Sequence, residues 1–299
     1  MTDSLDLSIC CTCGTQFSVT SVSSCKICDD PRQYIPPTGQ SWTTLRKLQT
    51  SQTYHNDFVP DKTHPDRLIA IQTTPKLGIG QSAYLCRTPA GNVLWDCITY
   101  LDDATISRIQ ELGGLSAIVI SHPHYFTTNL EWAAAFNCPV YLSAEDEEWL
   151  LRRGPQQVLW SGHRLPLEVP NGGGAPDFEA VKTGGHFPGS AVLWWKSLRM
   201  LLIADTIMVV PSGIYHVDRL PGTTSFSFMW SYPNMIPLPP EEVHGIWKAI
   251  KHTEFDETRG AFKGQETHGE SKRRVLESAK IVVGAMGYRD HAIHLEECP

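Results

Sequence analysis

The sequence predicts an α/β chain built as an αββα sandwich, two sheets face to face with helices outside, preceded by a small four-cysteine zinc module. Three observations carry this. Short β-branched runs bounded by turn residues alternate with segments of helical period, the pattern of sheets covered by helices. Two of the apolar runs lead straight into side chains that bind metals, at His122 and Asp205. Two Cys-x2-Cys pairs, Cys10 with Cys13 and Cys25 with Cys28, lie near the N-terminus. The chain accordingly divides into a cysteine module over 1–31, a proline- and aromatic-rich strap over 32–66 and the sandwich over 67–299.

Composition narrows the function. With 299 residues, 41% of them hydrophobic, and nine tryptophans, there is enough chain to bury a large core. A net charge of −7 makes nucleic acid an unexpected partner, because non-specific binding needs clustered Lys and Arg. No basic and apolar leader opens the sequence, and no run reaches the roughly 18 apolar residues of a membrane span. A soluble, cytoplasmic protein without a membrane partner is therefore expected.

In that compartment thiols stay reduced, and five of the nine cysteines fall between positions 10 and 28. A Cys-x2-Cys turn lets two thiolates reach one ion, and two turns complete a tetrahedral site. Cys10, Cys13, Cys25 and Cys28 are thus expected to hold a structural Zn2+, with Gly14 easing the first turn and Cys11 the odd thiol. From 29 to 65 prolines interrupt every period. Only 42–48 has helical length, and Tyr34, Trp42, Tyr54 and Phe58 are expected to anchor this strap by packing.

Strands follow at 68–72, 82–87 and 93–96, with a turn at 89–92. A helix capped by Asp102 or Asp103 runs to Leu112 and stops at Gly113-Gly114. Beyond the run 117–120 come a helix at 129–136, a strand at 139–142 and, from Ser143, a capping-box-like start to a helix ending near Gly154. The runs 156–160, 164–169 and 178–183 read as antiparallel strands, with a turn at 171–174, and 191–195 and 199–204 continue them. The segment 211–239 has no clear period, and its Phe226, Phe228, Met229 and Trp230 are read as packing residues. Helices at 240–252 and 268–283 flank a short strand at 255–259.

The chemistry sits at the ends of these runs. The strand 117–120 delivers Ser121-His122-Pro123-His124. Residues two apart in an extended segment point the same way, and Pro123 holds His122 extended, so both imidazoles can face one cation. Gly184-Gly185-His186-Phe187-Pro188-Gly189-Ser190 describes a tight loop presenting a third imidazole. The run 200–204 ends in Asp205-Thr206, and a carboxylate there is costly to bury alone but favourable beside a metal.

In this order, His-x-His, Gly-His-x-Pro-Gly-Ser and a strand ending in Ala-Asp-Thr, residues 67–290 resemble the metallo-β-lactamase superfamily. The cysteine pairs resemble a rubredoxin-type or zinc-ribbon knuckle. The resemblance implies a metal held by His122, His124 and His186 with Asp205 at the bridging carboxylate position, and Asp96 hydrogen-bonded to the backbone of the metal loop. It also exposes departures. The family's first loop reads His-x-His-x-Asp-His, and the positions of its Asp and last His, which serve the second metal, carry Phe126 and Thr127. The late histidine is missing where this chain has Arg259-Gly260-Ala261-Phe262. His252 and His268 lie near that point, but spacing gives neither a reason to join; they and His163, His216 and His244 are read as surface residues.

The activity so implied is hydrolysis of an ester, thioester or amide in a small molecule, by a metal-bound hydroxide at a one-metal site. Zinc or iron suits imidazole and carboxylate ligands. Asp205 and Tyr125 are the candidate catalytic side chains, Asp205 replacing the lost carboxylate and Tyr125 donating to the leaving group. The alternative is a catalytically degenerate fold whose zinc module and groove bind a partner protein or nucleic acid, the acidic balance arguing against nucleic acid but not against a protein.

Overall fold

A computed structural model describes residues 3–168, 175–214 and 222–299. They belong to two compact units, Met1–Trp160 with Glu168–Ala175, and Ser161–Leu167 with Pro176–Pro299. The expected turn at 171–174, the end of the strand expected at 164–169, His216 and part of the 211–239 segment lie outside the described residues.

The first unit is built on a seven-stranded sheet in the order His55–Pro60, Leu68–Thr74, Ala83–Cys86, Val93–Trp95, Ala117–Val119, Val140–Ser143, Gln157–Trp160. Its first four strands pair antiparallel and its last four parallel. Parallel neighbours need crossovers. Helices Asp103–Glu111 and Asn129–Phe136 supply two of them. Asp102 caps the first by accepting from the Thr105 backbone N–H, and Gly113 and Gly114 leave it at positive φ, as the sequence dictates. The third crossover is a 3-10 turn, Ala144–Trp149, shorter than the expected helix. Ser143 Oγ bonds the Glu145 carboxylate instead of a backbone N–H, so the capping box never closes. Gln157–Trp160 runs parallel to Val140–Ser143 and is not part of an antiparallel run.

The strap contains an edge strand the pattern concealed. His55–Pro60 is half-exposed, lacks alternation and ends in proline, all features tolerated at a sheet edge. Helix Leu45–Thr50 lies two residues beyond strand Trp42–Thr43, which pairs with Ile9–Cys10. Trp42 packs edge-on to Phe17 and Tyr54 against Tyr100, with centroids 5.4 and 6.0 Å apart. Tyr34 is exposed, so it anchors nothing by burial.

The second unit carries a six-stranded sheet, Arg164–Leu167, Phe178–Lys182, Ala191–Trp195, Met200–Leu202, Glu257–Arg259, Glu266–His268. All its pairs are antiparallel except Met200–Leu202 with Glu257–Arg259. Helix Pro240–Ile250 opens on a proline, whose missing N–H costs nothing there, and buries Val243, Ile246, Trp247 and Ile250 at helical spacing. Helix Ser271–Ala285 buries Val275, Leu276, Ala279 and Val283. Phe226 and Phe228 join the same core, and Trp230 packs on it. His268 belongs to a short strand opposite Glu257, not to the last helix. His244 is buried, not superficial: its Nε2 meets Glu296 Oε1 at 2.9 Å, and Trp247 Nε1 donates to Glu296 Oε2 at 3.1 Å. No helix among the described residues is long and apolar enough to cross a membrane.

Candidate metal centres

Cys10, Cys13, Cys25 and Cys28 are buried, and their sulfurs lie within 4.8 Å of one another. The turn after Cys10 closes with Gly14 N–H donating to the Cys10 carbonyl at 2.8 Å, and Asp29 N–H returns to Cys25 at 2.9 Å. Gly14 has φ +81, and a Cβ there would lie 2.0 Å from Thr99 Oγ1, so both conformation and space demand glycine. The donor set fits a thiophilic cation. Hydrogen bonds from the three other thiols favour ionised Cys10, while burial and the neighbouring sulfurs push Cys13 up. Four thiolates cannot share this space without a positive charge among them. Cys11 stands outside the group, and the buried thiols of Cys97 and Cys138 are pushed up to about 12, chiefly by burial.

In the first unit, strand Ala117–Val119 leads to the metal loop. Asp96, at φ +60 and fully buried, accepts from Ser121 N–H at 2.7 Å through its carboxylate while its own N–H donates to the Val119 carbonyl. This is the backbone contact the resemblance implied. Ser121 Oγ bonds His122 Nδ1 at 2.8 Å, which leaves Nε2 as the ligand atom of that ring. His122 is extended, as Pro123 requires, but Pro123–Tyr125 then forms a 3-10 turn. The convergence of the two rings, with centroids 5.1 Å apart, comes from that turn and not from strand alternation. Tyr125 is buried and packs edge-on to His122 with centroids 4.5 Å apart. Phe126 and Thr127 are buried, Thr127 at φ +40.

In the second unit, the 184–190 loop is closed by backbone bonds from Thr183 and Gly184 N–H to the Ser190 carbonyl, at 2.8 and 3.0 Å. Gly185, at φ +87, lies against Thr206, Ile246 and Leu238, where a Cβ would come within 2.7 to 3.0 Å of their atoms. Thr206 Oγ1 donates to the Gly184 carbonyl at 2.6 Å. His186 Nδ1 lies 3.1 Å from the Met229 carbonyl. A carbonyl only accepts, so Nδ1 carries a hydrogen, and Nε2 lies 3.7 Å from Asp205 Oδ2, the atom left to take a metal when the ring is neutral. Tyr232 stands beside this pair, its ring 6.1 Å from His186. Burial first, and then the Asp205 charge, hold its phenol neutral far above its ordinary range.

His122, His124, His186 and Asp205, every one buried, form a group able to hold a metal ion. Three neutral imidazoles and a carboxylate are a fitting set for zinc or ferrous iron. His252 and His268 are not in it; they face Glu179 and Glu257, at 3.6 and 3.5 Å. Arg259, at the position of the missing late histidine, is buried and bonds Glu257 at 2.8 Å. Sequence reasoning missed Ser121, Thr206, the Met229 carbonyl and Tyr232. Ser121 and Thr206 adjoin the ligands and were legible in principle. A backbone carbonyl leaves no residue-type signal, and Tyr232 sits in a stretch without period.

An α/β fold carrying a buried group of three imidazoles and one carboxylate is one that could hold a metal ion. The sequence profile of the Metallo-beta-lactamase superfamily matches residues 78–278. The uncharacterized protein YmaE of Bacillus subtilis (strain 168) is 42% identical over 260 residues, which cover 85% of this chain and 88% of YmaE. Among solved structures, VMB-1 matches with a TM-score of 0.55 at 11% identity, over 78% of this chain and 98% of its own. TMB-1 matches at 0.53 and 11% identity, over 77% and 98%. A metallo-beta-lactamase from Pontibacter korlensis matches at 0.51 and 9% identity, over 76% and 99%. At such identities the likeness is one of fold. The chain belongs to the metallo-β-lactamase superfamily, a superfamily of metal-dependent hydrolases.

Proposed function

We propose that this protein is a one-metal hydrolase of esters, thioesters or amides in small molecules, with His122, His124, His186 and Asp205 as ligands. The observation that carries the reading is the 3.1 Å contact of His186 Nδ1 with the Met229 carbonyl, which turns Nε2 toward Asp205 Oδ2 at 3.7 Å. A divalent cation held by these four residues would supply Lewis acidity, able to lower the pKa of a water toward ~7. Ser121 and the Met229 carbonyl orient the imidazoles, and Asp96 holds the loop backbone from which His122 projects. Asp205, whose Oδ2 lies 3.7 Å from His186 Nε2, is the carboxylate proposed to hold a proton during the reaction. Tyr125 is the proposed donor to the leaving group; Tyr232, neutral beside Asp205, is the second phenol available for that part.

Phe126 and Thr127 offer no ligand of the ordinary kind for a second ion, which favours one metal at this group. The same substitution motivates the second reading, a fold retained to bind a protein partner. We further propose that the thiolate site holds zinc, that 1–31 folds around it with 32–66 as its strap ahead of the domain 67–299, and that the protein works in the cytoplasm. Metal content and steady-state hydrolysis of chromogenic esters and thioesters test both readings. Two metals per chain and turnover that disappears in His186→Ala and Asp205→Ala are expected. Turnover unchanged in both variants removes this site from the mechanism, and one thiolate-bound metal without turnover favours the binding module.

A further inference from the structure

The superfamily pattern places ligands of a second metal at positions 126 and 127, where this chain has none. Within the first unit, the cysteine segment reaches those same positions. Gln16, just past the first cysteine pair, donates its backbone N–H to the Thr127 carbonyl at 3.1 Å. Its place is set by the knuckle: Cys10 N–H donates to the Thr15 carbonyl at 3.0 Å, and Ile9 bridges Gln16. A parallel link runs through Thr99. Its Oγ1 donates to the Gly14 carbonyl at 3.1 Å, and its own carbonyl accepts from Thr128 Oγ1 at 2.9 Å. Arg152 completes the arrangement, one guanidinium nitrogen bonding both the Gln16 side chain and Glu131 of the helix that follows the loop.

We infer that the cysteine segment is a clamp on the metal loop: Gln16 and Thr99 are positioning residues that hold 121–129 in its ligating conformation, in place of a second metal. A loop with Thr127 in the left-handed region pays for that backbone with outside bonds, and Gln16 supplies one at that residue. The clamp is only as rigid as the knuckle behind it, whose four buried sulfurs need a cation to stay together. Occupancy of the thiolate site therefore governs order in the loop, and through it metal affinity at His122 and His124. That last consequence rests on the proposed histidine site; the ordering of the loop does not.

The test uses the full chain. Zinc is stripped from the thiolates with a mercurial, followed by native mass spectrometry, and amide hydrogen exchange is read over 121–129. Exchange there is expected to rise tenfold or more, with strand Val140–Ser143 unchanged. Co2+ titrated into the histidine site, after dipicolinate has emptied it, is expected to bind about tenfold more weakly than in the zinc-loaded protein, the lower end of the range for losing outer support of metal ligands. If stripping opens Val140–Ser143 as well, Thr99→Val decides: it removes the hydroxyl and keeps the thiolate metal. It is expected to weaken Co2+ binding several-fold and to raise exchange at 121–129. Loop exchange unchanged by stripping, or parental Co2+ affinity and exchange in zinc-loaded Thr99→Val, overturns the clamp. Strong Co2+ binding without any hydrolysis would instead remove the hydrolase reading and leave the clamp standing.

Discussion

The cysteines of the thiolate group run from Cys10 to Cys28 in one short segment, whereas the histidine group is gathered from positions spread between His122 and Asp205. The two sets also differ in how they are held. The thiolate segment has little sheet of its own, a two-residue pairing, and its sulfurs face one another. The imidazoles have frames made of protein: Ser121 on His122, the Met229 carbonyl on His186, and Asp96 under the loop backbone. Where the frame is the ion, removing the ion removes the structure. Where the frame is hydrogen bonds, removing the ion leaves a shaped and empty site. On the proposed reading, one metal would be a structural member and the other a tool.

Losing the thiolate metal should be the most damaging change. Structural zinc sites of this kind carry apparent binding free energies of about 10 kcal/mol or more. Cys28→Ser is expected to expose the N-terminal segment to limited proteolysis and to cost one metal per chain. A variant that keeps its protection would erase the contrast. His186→Ala should do the reverse, costing the second metal and at least ~100-fold in hydrolysis, the scale of losing a major electrostatic contributor to the transition state. Its thermal midpoint should stay within a few degrees of the parent, by calorimetry. A large fall would mean that the histidine metal also carries the fold.

Asp96→Asn sharpens the comparison, because it leaves every ligand in place and weakens only the support of the loop. A charge-assisted bond to a backbone N–H becomes a neutral one, and metal affinity should drop about 10-fold by competition with a chelator. The smallest effect is expected at Glu296, which belongs to neither group. Glu296 is lowered from its ordinary range, first by the His244 hydrogen bond and then by Trp247 and Lys251. A carboxylate lowered in the folded state stabilises it at pH above the unfolded value near 4.5, and that contribution fades as pH falls through the folded value. Glu296→Gln should flatten the acid limb of urea midpoints measured from pH 6 to 3, and an unchanged limb would assign the slope to other groups.

What could be read from the sequence follows the same division. The cysteine spacing pointed to the four thiols the fold brings together, because a Cys-x2-Cys turn closes locally whatever the rest of the chain does. His122, His124, His186 and Asp205 were legible because each ends or interrupts a clear apolar run. The geometry between them was not, since the turn at Pro123–Tyr125 depends on bonds to Asp96 and on packing of Tyr125, contacts made at long sequence range. Strand His55–Pro60 escaped notice because edge strands carry no alternation to find. The helix expected after Ser143 failed because Glu145, one residue too early for a capping box, captured the serine hydroxyl.

One contact within the first unit gives the molecule a built-in optical gauge. Lys26, between the second pair of cysteines, lies 4.5 Å from the ring centroid of Trp149 and donates to the Glu148 carbonyl, with Arg32 5.3 Å from the same ring. Cations over an indole face shift and quench its emission, so the fluorescence of Trp149, isolated by subtracting Trp149→Phe, follows the seating of the cysteine segment. Zinc loss can then be timed in a cuvette, without a label and independently of any substrate.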